Sequence, residues 1–305
     1  MARRRRREPA PYAPTYWPTW LGLGLLRLLN LLPWSWQLAL GRFLGDATRH
    51  LARSRARVAR TNLRLCFPEL ETAARERLLR DHFRALGMGV VELAMSWWGS
   101  NERLRSLGSV EGLEHFDAAL AAGHGIILLT GHFTPMELCA HRLSLERPFD
   151  AMYRPASNVV VDRLTKRARD RRRNTRIFAR DDIRAMLRSL RDNRAVWYGP
   201  DQDYGRELSV FAPFFGVDAA TITTTARFAR MSRARVVPYF PVRRADGRYV
   251  IRVLPPLAGY PTGDAEADAR TINALVEAAV RACPEQYLWI HRRFKTRPQG
   301  EPRLY

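Results

Sequence analysis

His132 and Glu137 stand five positions apart in Gly131-His132-Phe-Thr-Pro-Met-Glu137, directly after the apolar run Gly125-Ile-Ile-Leu-Leu-Thr130. A short uninterrupted apolar run bounded by glycine suits a strand buried on both faces. A histidine just past the carboxyl end of such a strand lies where α/β folds collect their functional groups. On one regular helix, five positions would set the two side chains about 140° apart. They converge only if His132 occupies the turn before the helix, which Thr134 as N-cap and Pro135 at the first helical position favour. Two readings of Glu137 stay open on this pattern. It completes a capping box by reaching back to the Thr134 amide, or it holds the imidazole, fixes its tautomer and stabilises the imidazolium. A histidine held so takes a proton from an alcohol; a hydrogen-bonded structural histidine is the competing reading of His132.

The elements that must carry this pair alternate. Leu78, Leu79, Phe83, Leu86 and Val90 recur at helical spacing and predict a helix over 72–98, after a basic helical stretch around 46–65. Further helices are expected over 135–145, 158–172, 181–191, 223–231 and 264–282, and buried strands at Ala151-Met-Tyr153 and Ala195-Val-Trp-Tyr198. Strand-like runs from Arg235 to Phe240 and from Arg248 to Leu254 flank Ala245-Asp-Gly247, a hairpin signal. The alternation predicts a single α/β domain over 46–305, with a mostly parallel sheet flanked by helices. No internal repeat, Gly-rich dinucleotide loop or P-loop is found.

The chain has 305 residues, 51 basic against 30 acidic, for a net charge of +21. Hydrophobic residues make up 46% and the mean hydropathy is −0.32, which excludes both a disordered basic tail and a many-helix membrane protein. Only Lys166 and Lys295 are lysines, so the excess is arginine, and it points to nucleic acid, an anionic membrane surface, or an acidic protein or ligand. No zinc-finger, RNP, KH or helix-turn-helix signature accompanies the charge, which argues against nucleic acid. Cys66, Cys139 and Cys283 have no CxxC spacing and read as small buried apolar residues in a reducing compartment.

Residues 1–15 form a basic, Pro-rich arm with five arginines from Arg3 to Arg7, and residues 16–45 read as an anchor helix. From Trp17 to Trp36 such a helix would be about 30 Å long, the thickness of a bilayer core. Its terminal tryptophans look like interfacial belts. Arg27 in mid-segment and arginines on both flanks leave a helix lying in the interface as the competitor.

The H-x4-E pattern resembles the first motif of the glycerolipid acyltransferase superfamily. Met152-Tyr-Arg-Pro155, Val196-Trp-Tyr-Gly-Pro-Asp-Gln-Asp-Tyr-Gly205, Val237-Pro-Tyr-Phe-Pro241 and the run Pro284 to Pro298 follow it in order. Together with Tyr16 to Gly24, Arg60 to Pro68 and the terminal Arg303-Leu-Tyr305, they resemble the late acyltransferases of lipid A biosynthesis, most closely the lauroyl branch. Pro135 departs slightly from the family's Leu-rich linker. The resemblance implies a glycerolipid-acyltransferase-like domain that moves a fatty acyl chain from acyl carrier protein to a hydroxyl on a 3-hydroxyacyl chain of Kdo2-lipid IVA. A related acceptor, such as a phosphoglycolipid or ornithine lipid, is the runner-up. It implies catalytic roles for His132 and Glu137, direct transfer without an acyl-enzyme, no cofactor, and an inner-membrane enzyme with its domain on the cytoplasmic face. The expected partners are acyl carrier protein, the anionic lipid A precursor and inner-membrane lipid. Arg154 matches the arginine of the second motif and is expected to contact an oxyanion or phosphate. Asp201 and Asp203 either position the acceptor or order their loop, and two carboxylates alone make no metal site. Pro238 and Pro241 are expected to shape the acyl pocket. His291, Arg292, Arg293, Lys295 and Arg297 either bind headgroup phosphates or form a solvated basic tail, and the arginines from Arg167 to Arg173 carry the same two readings.

Overall fold

The computed structural model describes residues 10–153, 155–171 and 174–305. Four helices come first: α1 (Trp17–Leu29), α2 (Trp34–Leu51), α3 (Arg53–Cys66) and α4 (Thr72–Trp98). The α/β region follows as α5 (Asn101–Leu107), β1 (Gly108–Glu111), α6 (Leu113–Ala121), β2 (Ile126–Leu129), α7 (Met136–Ser144), β3 (Asp150–Tyr153), α8 (Val159–Asp170), β4 (Ile177–Ala179), α9 (Ile183–Arg191) and β5 (Ala195–Tyr198). It ends with β6 (Ser209–Phe214), β7 (Val217–Ile222), α10 (Thr224–Ser232), β8 (Arg235–Arg243), β9 (Tyr249–Val253) and α11 (Ala265–Ala282).

Seven strands form one sheet in the order β1-β9-β8-β2-β5-β3-β4, and every neighbouring pair in it is parallel except the β8–β9 hairpin. A second, two-stranded sheet pairs β6 with β7. Successive side chains of a strand face opposite sides, so β2 feeds two cores. Ile126 and Leu128 pack with Phe116, Leu138 and Leu143. Ile127 and Leu129 pack with Met186, Leu190, Phe228 and Ile272. Burial on both faces is what a continuous Ile-Ile-Leu-Leu run requires, and it fixes β2 in the middle of the sheet.

The N-terminal segment corrects the expected anchor over 16–45. It is two helices, broken at Asn30–Pro33, and among the described residues no helix is long and apolar enough to cross a membrane. Thirteen residues make α1 about 20 Å long, short of the roughly 30 Å hydrocarbon core. The second half of the segment belongs to the domain. Gly41 and Gly45 of α2 lie directly on α4, where a Cβ at Gly45 would sit 2.2 Å from the Phe83 carbonyl oxygen. On the facing helix, a Cβ at Gly87 would sit 2.0 Å from the Gly41 carbonyl oxygen. Only glycine lets two backbones approach so closely. Asp46 and Arg84 add an ion pair across the same contact at 3.0 Å. Helix α1 buries Leu23 against Trp97, Val160 and Ala168 and leaves Trp17, Leu21, Leu25 and Leu28 exposed.

Candidate active site

Parallel register builds the site. Leu129 of β2 is paired with Tyr198 of β5. Three residues beyond each lie His132 and Asp201, so the two chains deliver them at the same height beyond the carboxyl edge of the sheet. The Asp201 carboxylate grips the histidine twice. Its Oδ1 lies 2.5 Å from His132 Nδ1, and its Oδ2 accepts the His132 backbone N–H at 2.8 Å. The imidazole also meets the Trp197 ring edge-on at a centroid distance of 5.9 Å, and the Trp197 indole N–H donates to the Tyr239 hydroxyl at 2.6 Å. No described residue hydrogen-bonds His132 Nε2.

The residue after the histidine is clamped from the C-terminal segment. Phe133 bridges Tyr287 in antiparallel fashion, the Leu288 N–H donates to the His132 carbonyl at 3.0 Å, and the Thr134 N–H donates to the Gln286 carbonyl at 2.8 Å. The Gln286 side chain in turn bonds the backbone of Arg243 on β8 in both directions, at 2.8 and 2.9 Å. Arg243 closes a buried ion pair with Glu92 of α4. The histidine loop is therefore fixed by β2, β5, β8, α4 and the C-terminal segment together.

Charge follows this geometry. Burial alone would depress the His132 imidazolium, but the charge of Asp201 and its hydrogen bond outweigh burial and raise the imidazole above its ordinary value. Burial alone would raise the Asp201 carboxyl. The charge and hydrogen bonds of His132, with the charge of Arg293, hold it instead well below the usual carboxylate range. The pair is an imidazole whose protonated form is more stable than in a free histidine, held by a carboxylate that stays ionised.

Glu137 lies elsewhere than either reading placed it. Helix α7 begins at Met136 without a side-chain cap, and the Thr134 amide is taken by Gln286, so there is no capping box. The imidazole is held by Asp201, and the Glu137 carboxylate pairs with the Arg169 guanidinium of α8. Arg169 lies over the Tyr153 ring at 5.1 Å. His132, Glu137, Arg169, Tyr153 and Trp197 line one cavity of about 230 Å³, whose other walls are Met136, Ala140, Phe149, Ala151 and Met152. The histidine and the ion pair thus share a mostly apolar cavity, with His132 on its wall.

Arg154 lies outside the described residues, as do Arg172 and Arg173. Asp203 orders its loop: its carboxylate accepts the Gly205 N–H at 2.9 Å, the Thr296 N–H at 2.7 Å and the Thr296 hydroxyl at 2.8 Å. Its own N–H donates to His291 Nε2 at 3.1 Å. Arg293, expected to meet headgroup phosphates, is 2% exposed and spends its guanidinium on the Ala220 carbonyl, Thr221 and Asn273. It reaches the site only through its charge on Asp201. Arg292 and Lys295 are exposed, and Lys295 lies 3.8 Å from the Asp203 carboxylate. Pro238 and Pro241 are in β8 and do not line the cavity. Sequence reasoning missed Arg169 as a cavity residue and Asp201 as the histidine's partner. Asp201 carried a signal, its place just past a buried strand, but not the adjacency of β5 to β2.

Gly199 leaves room for the ring. A Cβ there would lie 3.0 Å from His132 Cε1 and 3.0 Å from the Trp197 ring, and the ring is tied to Asp201 on its Nδ1 side. Gly199→Ala is expected to displace the imidazole by a few tenths of an ångström and lower kcat roughly tenfold, as misplaced catalytic groups do. Steady-state kinetics beside an unchanged circular dichroism spectrum check this; wild-type kcat would show the ring has slack.

With the geometry in place, four similarities bear on function. The family model for bacterial lipid A biosynthesis acyltransferases matches residues 5–296. The chain is 40% identical over 294 residues to a lipid A biosynthesis lauroyltransferase of Escherichia coli (strain K12), covering 96% of each chain. It is equally 40% identical to the palmitoleoyltransferase of that organism, over 96% of this chain and 95% of the relative. To the myristoyltransferase of the same strain it is 33% identical, over 96% and 91%.

Proposed function

Because this chain belongs to the bacterial lipid A biosynthesis acyltransferases, we propose that it moves a lauroyl chain from acyl carrier protein to a 3-hydroxyacyl hydroxyl of Kdo2-lipid IVA. The observation that carries the mechanism is the His132–Asp201 pair on the wall of a mostly apolar cavity. Nδ1 is occupied by the carboxylate, so Nε2 is the atom that takes the acceptor's proton. The alkoxide oxygen attacks the thioester carbonyl carbon and forms the ester bond as the carbon–sulfur bond breaks. The leaving thiolate recovers the proton from the imidazolium, which Asp201 has stabilised meanwhile. Arg169, held by Glu137, lines the same cavity and stabilises the oxyanion of the tetrahedral intermediate. Arg154 is assigned to phosphate or oxyanion contact on the family motif alone.

Direct transfer also fits the thiols. Cys66, Cys139 and Cys283 are buried, and burial pushes all three thiols up, so none supplies a thiolate nucleophile near neutral pH. The reading is tested by mass spectrometry of lipid A from cells with and without the protein. One secondary acyl chain gained supports it, and the mass names the donor; an unchanged lipid A overturns it.

The proposed location is the cytoplasmic face of the inner membrane, with α1 lying in the interface. The exposed Trp17, Trp20, Leu21, Leu25 and Leu28 of α1, with Trp36 and Phe43 of α2, give the apolar surface, and Arg27 and Arg42 supply cations beside it. Burying each leucine in the acyl boundary is worth about 1.5–3 kcal/mol. Leu21→Glu with Leu25→Glu is expected to shift the protein from membrane to soluble fraction while turnover of detergent-dispersed substrate stays within about twofold. Unchanged sedimentation with membranes would remove α1 as the seat.

A further inference from the structure

Helix α3 carries arginines at Arg53, Arg57, Arg60 and Arg64, all exposed, while Ala56, Ala59, Leu63 and Cys66 on its other side are buried. At 100° per residue the four arginines fall within an arc of about 60°, and they run for about 16 Å along the helix. Among the described residues only Arg60 of the four meets a carboxylate, that of Glu76. Two concave clefts flank the stripe and share Arg57 and Arg60. One, of about 330 Å³, is continued by Arg64 and Arg75; the other, of about 350 Å³, by Arg49, His50 and Arg53. Arg60 ties α3 to α4 through Glu76, while Arg53, Arg57 and Arg64 have no use in the fold or site described above.

Resting on the functional reading above, we infer that the α3 arginine stripe is the docking surface for an acidic helix of the protein that carries the acyl donor. Carboxylates at the same i, i+4, i+7, i+11 spacing on a partner helix would face the four guanidiniums in register, and matching of this kind steers and orients encounter. The stripe exposes no large apolar side chain, unlike α1 and α2, so it lacks what a membrane-inserting face needs. It is a line of cations rather than a closed cradle, which suits an extended polyanion better than one phosphate. The face of α3 opposite the stripe packs against the C-terminal segment that borders the site. Asn62 of α3 donates to the carbonyls of Trp289 and His291 at 2.6 and 2.7 Å, and His291 accepts the N–H of Asp203, two residues from the carboxylate that holds His132.

The test uses the full chain in detergent micelles, with wild type, Arg57→Glu/Arg64→Glu and the milder Arg57→Gln/Arg64→Gln. Binding of fluorescently labelled holo-acyl carrier protein is read by anisotropy, so the surface is tested whether or not turnover occurs. Binding is expected to weaken at least tenfold in the glutamate variant and less in the glutamine variant, and wild-type binding to fall with added salt. In turnover assays KM for lauroyl-acyl carrier protein rises in step, while kcat/KM for the small thioester lauroyl-coenzyme A stays within about twofold. Unchanged carrier binding in both variants overturns the docking surface. So does loss of binding to phosphatidylglycerol vesicles with carrier binding intact, which would make the stripe a membrane contact. Failure of the wild type to acylate the lipid acceptor, with carrier binding weakened as expected, would overturn the functional reading alone.

Discussion

His132→Ala lowers kcat for acyl transfer by about 10³-fold, the contribution expected of a positioned general base. The loss falls on kcat rather than KM, because the imidazole acts on a proton that moves only in the transition state. The fold should survive. The backbone N–H that Asp201 grips is still present in alanine, and the neighbouring bonds to Tyr287, Leu288 and Gln286 are made by other atoms. The buried carboxylate loses one partner, at a cost of about 1–3 kcal/mol, so the variant should melt a few degrees lower yet cooperatively. Transfer within about tenfold of wild type would remove His132 from the chemistry.

The second large effect separates the two carboxylates. Asp201→Asn keeps an acceptor for the His132 backbone N–H but removes the charge that stabilises the imidazolium, and should cost about 10³–10⁴-fold in kcat. It also moves the pH profile. The base must be neutral to act, so activity rises as pH climbs through the imidazole pKa. Asp201 raises that pKa against the opposing effect of burial; the acid limb of wild type therefore lies above the ordinary imidazole value, and without the carboxylate burial prevails and the limb shifts to lower pH. Glu137→Gln leaves the limb in place, since its charge is engaged by Arg169. A limb that moves with Glu137 and not with Asp201 would reverse the assignment.

Much of the fold was legible because its elements are periodic. The 72–98 helix, the buried Ile-Ile-Leu-Leu strand and the β8–β9 hairpin follow from spacing and turn chemistry alone, and the parallel sheet follows from their alternation. What could not be read was adjacency. His132 and Asp201 are 69 residues apart in sequence, and only the strand order places β5 against β2. Glu137 was close in sequence and fitted a capping pattern, yet the Thr134 amide is taken by a residue over 150 positions away. Arg293 looked like one of a basic run, but a guanidinium with partners on β7 and α11 is a core group whatever its neighbours are. The single helix expected over 16–45 failed for a similar reason: apolar composition does not reveal that Gly41 and Gly45 are packed on α4.

The most direct measurement is made on purified wild type and His132→Ala, each incubated with lauroyl-acyl carrier protein and Kdo2-lipid IVA, with the acceptor lipid weighed by mass spectrometry. The expected result is a mass gain of one lauroyl ester with wild type and essentially none with His132→Ala over the same time. Equal gains with the two proteins, or none with wild type while the donor is intact and bound, would contradict transfer by the His132–Asp201 pair.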